Sequence, residues 1–130
     1  MNTLLKRSSS FENESLKLRG NNLIFKENNR KVSLSKYQHY LLVCLLNKVN
    51  AKEDIIRYLW GEQDYKKKEN NYNQLVYQFR QLLIKSGGKE DSLVTLPRYG
   101  ICLNPSLLAV SHSHRLDMSG IVNDHMAYLQ

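Results

Sequence analysis

The chain has 130 residues, 42% of them hydrophobic, which is enough for one packed domain and too apolar for a disordered tail. Two cysteines exclude a disulfide-rich secreted scaffold, and six glycines with two prolines exclude collagen-like and Pro-rich chains. Nineteen Lys and Arg stand against twelve Asp and Glu, a net charge of +7, which points to a polyanion such as nucleic acid or an anionic membrane surface.

Near the N-terminus, Leu4 and Leu5 are too few for the apolar stretch of a signal peptide. The longest apolar run, residues 41–46, is far short of the roughly 18 residues of a spanning helix. A cytoplasmic protein without a membrane span is expected. Residues 15–19 alternate Ser-Leu-Lys-Leu-Arg, Gly20-Asn21-Asn22 is a turn, and Leu23-Ile24-Phe25 reads as a second strand. Asn28-Asn29 turns the chain again toward Val32 and Leu34. The first third is therefore expected to be an antiparallel meander.

Ser35 and Gln38 form a capping box ahead of residues 37–46, an almost wholly apolar helix. Asn50, with Glu53 three residues on, reads as the cap of a second helix over residues 51–60, which Gly61 ends. A polar loop over residues 62–69 holds Lys66, Lys67 and Lys68. A third helix follows over residues 70–86, where Tyr72, Val76, Phe79 and Leu83 make one apolar stripe, widened by Leu75 and Leu82. Its other face carries Asn70, Gln74, Tyr77, Gln78, Gln81 and Lys85, without a carboxylate. Residues 93–96 and 101–103 read as two strands around the turn Pro97-Arg98-Tyr99-Gly100.

Strands, three helices and a hairpin in this order are the layout of an α+β winged helix-turn-helix. Four stretches in register carry a more specific resemblance. They are Leu34-Ser35-Lys36-Tyr37-Gln38-His39-Tyr40-Leu41-Leu42, Ile55-Ile56-Arg57-Tyr58-Leu59-Trp60-Gly61, Asn70-Asn71-Tyr72-Asn73-Gln74-Leu75-Val76-Tyr77-Gln78-Phe79-Arg80-Gln81-Leu82-Leu83 and Leu93-Val94-Thr95-Leu96-Pro97-Arg98-Tyr99-Gly100-Ile101. In these the chain resembles the OmpR/ToxR-type winged-helix domain of bacterial transcription regulators. The resemblance implies an N-terminal sheet, a three-helix core and a hairpin wing over residues 12–104, with residues 105–130 a tail or short helix. It also implies sequence-specific binding of double-stranded DNA, with helix three in the major groove and the wing on the adjacent backbone or minor groove. The DNA-facing positions then fall on Asn70, Asn71, Gln74, Tyr77, Gln78 and Arg80, with Arg98 and Tyr99 on the wing. Arg80 lies toward the flank, where a phosphate contact is the natural one. The chain departs from the family pattern at Gly100-Ile101, where Gly-Tyr is usual, and in having Arg80 as its one recognition-helix arginine. Fewer cations imply a shallower salt dependence. No receiver or other sensing domain is expected.

Other readings stand beside these. The polar face of helix three and Lys66, Lys67 and Lys68 could each be solvated surface, the lysines equally a phosphate clamp. Trp60 reads as core, and Cys44 and Cys102 as packed, reduced thiols. His112 and His114 lack a third ligand for a metal. No catalytic constellation stands out, so no enzyme and no cofactor are expected. Leu116, Ile121, Val122, Met126 and Leu129 could make an amphipathic tail helix, a frayed end, or a contact for a homodimer or another regulator. The alternative function is a winged-helix co-regulator acting mainly through protein–protein contacts.

Overall fold

Four short antiparallel strands open the fold in the order of the chain: β1 (Ser10–Glu12), β2 (Leu16–Arg19), β3 (Asn22–Phe25) and β4 (Arg30–Ser33). The computed structural model describes residues 10–62, 65–87 and 89–108. The sheet's alternation is the expected one. Leu16, Leu18, Leu23 and Phe25 are buried, while Lys17, Ile24 and Lys31 stand in one row on the other face. The first strand, β1, was not expected, since Ser10, Phe11 and Glu12 are too few to show a period. Asn13 ends β1 by accepting the amides of Ser15 and Leu16 at 2.8 Å, and its own amide reaches the Leu107 carbonyl at 2.7 Å.

Helix α1 (Lys36–Leu46) starts at the expected capping box. The Gln38 amide donates to Ser35 Oγ, and Gln38 Oε1 accepts from the Ser35 amide at 2.9 Å. Leu41, Leu42, Val43, Cys44 and Leu45 are all buried. Five consecutive buried residues cover every side of a helix, so α1 is the centre of the core. Lys48 then takes a left-handed backbone, φ 63°, and Val49 donates to the Cys44 carbonyl at 2.8 Å. This closes α1 and makes the sharp turn expected before the next helix.

Helix α2 (Lys52–Trp60) corrects one expectation. Asn50 does not cap it; the cap position is Ala51, which has no side-chain hydrogen bond to offer. Instead the Lys52 amide donates to the Tyr99 carbonyl at 2.8 Å, so the C-terminal hairpin satisfies the helix end. Asn50 is free to bind the hairpin too, its side-chain amide donating to the Ile101 carbonyl at 2.9 Å. Trp60 is half-buried against the core, its ring 5.4 Å from that of Tyr37. The polar loop that follows includes a 3-10 turn, Tyr65–Lys68, which runs directly into α3 (Glu69–Lys85).

Tyr72, Leu75, Phe79 and Leu83 are the buried residues of α3, with Val76 and Leu82 half-buried beside them. Gly87 follows at φ 94°, against the Asn28 side chain of the β3–β4 turn. A second 3-10 turn, Glu90–Ser92, leads to the hairpin of β5 (Leu93–Leu96) and β6 (Gly100–Leu103). Leu93, Ile101 and Leu103 turn inward. The packed unit continues through α4 (Pro105–Leu108), whose Leu107 and Leu108 lie against the core. The amphipathic tail helix and the histidine pair lie outside the described residues.

Hairpin and α1–α2 turn also meet backbone to backbone. Gly100 bridges Ala51, and the Ile101 amide donates to the Asn50 carbonyl at 3.1 Å. A Cβ on Gly100 would stand 1.8 Å from that carbonyl oxygen. Gly100→Ala is expected to cost about 2 kcal/mol or more in urea unfolding, because neither backbone can yield without losing these bonds. His39 is buried in α1 with Nδ1 lacking a hydrogen-bond partner, and burial holds its pKa below 6.5. The unfolded chain therefore binds this proton more readily than the folded one. Stability is full above pH 6.5 and declines as the pH falls below it. Thermal melts between about pH 7.5 and 5.5 check this, and His39→Leu is expected to flatten the slope.

Candidate nucleic-acid interface

Burying Tyr72, Leu75, Phe79 and Leu83 leaves the opposite side of α3 in solvent. Asn70, Asn71, Gln74, Tyr77 and Gln78 are all exposed there, and Tyr77 is 63% exposed. The structure brings these five expected positions onto one surface. Asn73 is exposed as well and was missed. At 100° per residue it lies on the flank beside Arg80, and a helical wheel alone would have shown it. Gln81 is half-buried.

Arg80 does something the sequence did not suggest. Its Nη1 donates to the Leu93 carbonyl and its Nη2 to Thr95 Oγ1, each at 3.0 Å. The phosphate contact expected of it would compete with these bonds. The guanidinium is half-buried and ties α3 to β5. Its partners lie 13 and 15 residues away, which no local pattern reveals.

The hairpin tip stands beside α3 on that flank. A cleft of about 570 Å³ separates them, lined by Asn73 and Val76 on one wall and Thr95, Arg98 and Tyr99 on the other. Arg98 and Tyr99 are exposed. The Tyr99 amide donates to the Leu96 carbonyl at 2.9 Å, with Arg98 at φ 62°. Pro97 followed by a positive φ is a type II turn, in which glycine is the favoured third residue. Arg98 occupies that position at a conformational cost.

The start of α3 is positively charged from two sources. Lys66 and Lys67 are exposed and Lys68 is half-buried in the 3-10 turn. The helix's own N-terminus adds partial positive charge. Glu69, in the first turn, is drawn away into an ion pair with Lys52, whose ammonium also lies 5.8 Å from the Tyr72 ring. Burial pushes the Tyr72 phenol up to about 12, so the ring stays neutral. Glu53 and Asp54, at the mouth of the cleft, face Arg57 at 3.9 and 2.8 Å. Residues 65–100 hold seven cations against three carboxylates, a local +4.

Both cysteines are unbridged. Cys44 is buried and its thiol is pushed up to about 12, and half-buried Cys102 is raised in the same direction by burial. Among the described residues, no group of three His, Cys, Asp or Glu could hold a metal ion, and no helix is long and apolar enough to cross a membrane. No protein-family model and no curated protein matches the chain.

Two stability measurements follow from this geometry. Arg80→Met is expected to cost about 1–3 kcal/mol in chemical unfolding, since the Leu93 carbonyl loses a donor. Arg98→Gly is expected to raise stability by about 0.5 kcal/mol, because glycine tolerates positive φ. Arg98→Ala, which keeps the strain, should show no such gain in the same chemical unfolding.

Proposed function

We propose that this chain is a transcription regulator of the OmpR/ToxR winged helix-turn-helix type, which binds duplex DNA sequence-specifically and performs no chemistry. In this reading α2 and α3 are the helix-turn-helix, α3 enters the major groove, and the β5–β6 hairpin is the wing. The major groove is wide enough to take a helix. The observation that carries the reading is the exposed, carboxylate-free face of α3, with the lysine turn running directly into its start and the Arg98 tip across a cleft on its flank. The lysines crowd the positive end of α3, where cations are disfavoured. Duplex phosphates would relieve that repulsion, and counterion release would drive association.

A protein-contacting co-regulator is the second reading. The engagement of Arg80 with the hairpin favours it, because its guanidinium is then less free to reach a phosphate. It implies weak, sequence-blind DNA binding.

A duplex enriched by this protein from a random library, followed by polarisation titration, separates the two. Asn70→Ala, Gln74→Ala and Arg98→Ala are each expected to weaken binding about tenfold. Lys67→Ala should lower affinity for all duplexes alike and reduce the salt slope by about one. Unchanged affinity in the first three variants would remove this reading face. Failure to enrich any sequence would favour the co-regulator.

A further inference from the structure

The chemistry of the exposed face is unusually uniform. Asn70, Asn71, Asn73, Gln74 and Gln78 are five carboxamides around one phenol, Tyr77, all exposed. A carboxamide presents a donor and an acceptor side by side, the complement of adenine's N6 and N7. Guanine's major-groove edge is two acceptors, O6 and N7, which call for the paired donors of a guanidinium or the charge of an ammonium.

No such group stands on the first half of α3 itself, Lys66, Lys67 and Lys68 preceding it in the 3-10 turn. The one arginine of the helix, Arg80, has one N–H of each terminal nitrogen engaged, with Leu93 O and with Thr95 Oγ1. These two bonds aim the guanidinium at the hairpin and away from the amide face. Lys85 shares the exposed arc but stands seven residues beyond Gln78, about 10 Å along the axis. It is at the far end of the helix, away from the residues that a docked helix presents first.

The hairpin supplies an independent observation. Arg98 is held exposed at the tip of a tight turn, in a backbone conformation unfavourable for arginine. A residue held in a sparsely populated backbone region at an exposed loop tip points to a use for its side chain there. An arginine projected on such a tip suits a narrow minor groove, which A·T tracts provide, with an enhanced negative potential.

We infer that the DNA recognised is A·T-rich, with adenine edges read by the amides of α3 and an adjoining narrow minor groove entered by Arg98. The inference rests on the DNA-binding reading above and names the sequence class that reading leaves open. It assigns Asn70, Asn71, Gln74 and Gln78 as the residues that set base preference, and Arg80 as a positioning residue that holds the hairpin against α3.

The test uses the full chain and duplexes enriched from a random library at one fixed salt concentration. The enriched sites should be A·T-rich, and an A·T to G·C exchange at a read position should weaken binding about tenfold. Replacing adenine by 7-deazaadenine there removes the N7 acceptor and should weaken binding similarly. Gln74→Ala should abolish the preference at one position, and Gln74→Arg should turn it toward guanine. Salt-dependent binding with G·C-rich enriched sites, or equal affinity for A·T and G·C duplexes, overturns this inference and leaves the DNA-binding reading standing. Preference that survives both 7-deazaadenine and Gln74→Ala overturns the amide assignment. Absence of binding to every duplex overturns both.

Discussion

At Gly100 the hairpin backbone lies against the turn between α1 and α2, with no side chain between them. Ile101 donates to the Asn50 carbonyl, and the Tyr99 carbonyl accepts from Lys52. An added Cβ would stand 1.8 Å from the Asn50 oxygen. The start of α2 consequently needs no capping side chain, because the hairpin provides the acceptor. The tip residues Arg98 and Tyr99 are fixed relative to the helices, because they follow directly from this contact. Arg80 adds a second tie from α3 to β5. The cleft between α3 and the hairpin thus has two walls held from both ends.

Behind that surface, α1 does the packing. A helix buried on all sides must be covered by neighbours on all sides, and the sheet, α2, α3 and β6 supply them in one continuous core. The burial is not purely apolar. His39 sits in it with an unpartnered nitrogen, a group that stays neutral there because burial disfavours its charge.

Charge around α3 follows a different logic from packing. Lysines crowd the positive end of the helix, and the nearest carboxylate, Glu69, is turned toward Lys52. Arg57 draws Asp54 and Glu53 together at the mouth of the cleft. Arg80, the cation nearest the centre of α3, is spent on the hairpin. The exposed face is left to neutral amides, framed by cations at its margins. In the proposed reading, the margins attract the polyanion and the centre distinguishes one sequence from another.

The sequence by itself determined the elements and their faces. Hydrophobic spacing is a local property, so the meander, the buried α1, the stripe of α3 and the capping box at Ser35 were legible, as were the exposed amides that result. Composition likewise showed the net positive charge. What only the tertiary structure decided was the use of polar groups whose partners are distant in the chain. Asn50 looked like a cap because its neighbours fit a capping pattern, yet its partner lies in β6. Arg80 looked like a phosphate contact because it stands on the flank of a polar helix, and the tertiary structure adds its bonds to Leu93 and Thr95. A hydrogen bond is satisfied by whatever partner packing brings within 3 Å, and a one-dimensional pattern carries no record of that approach.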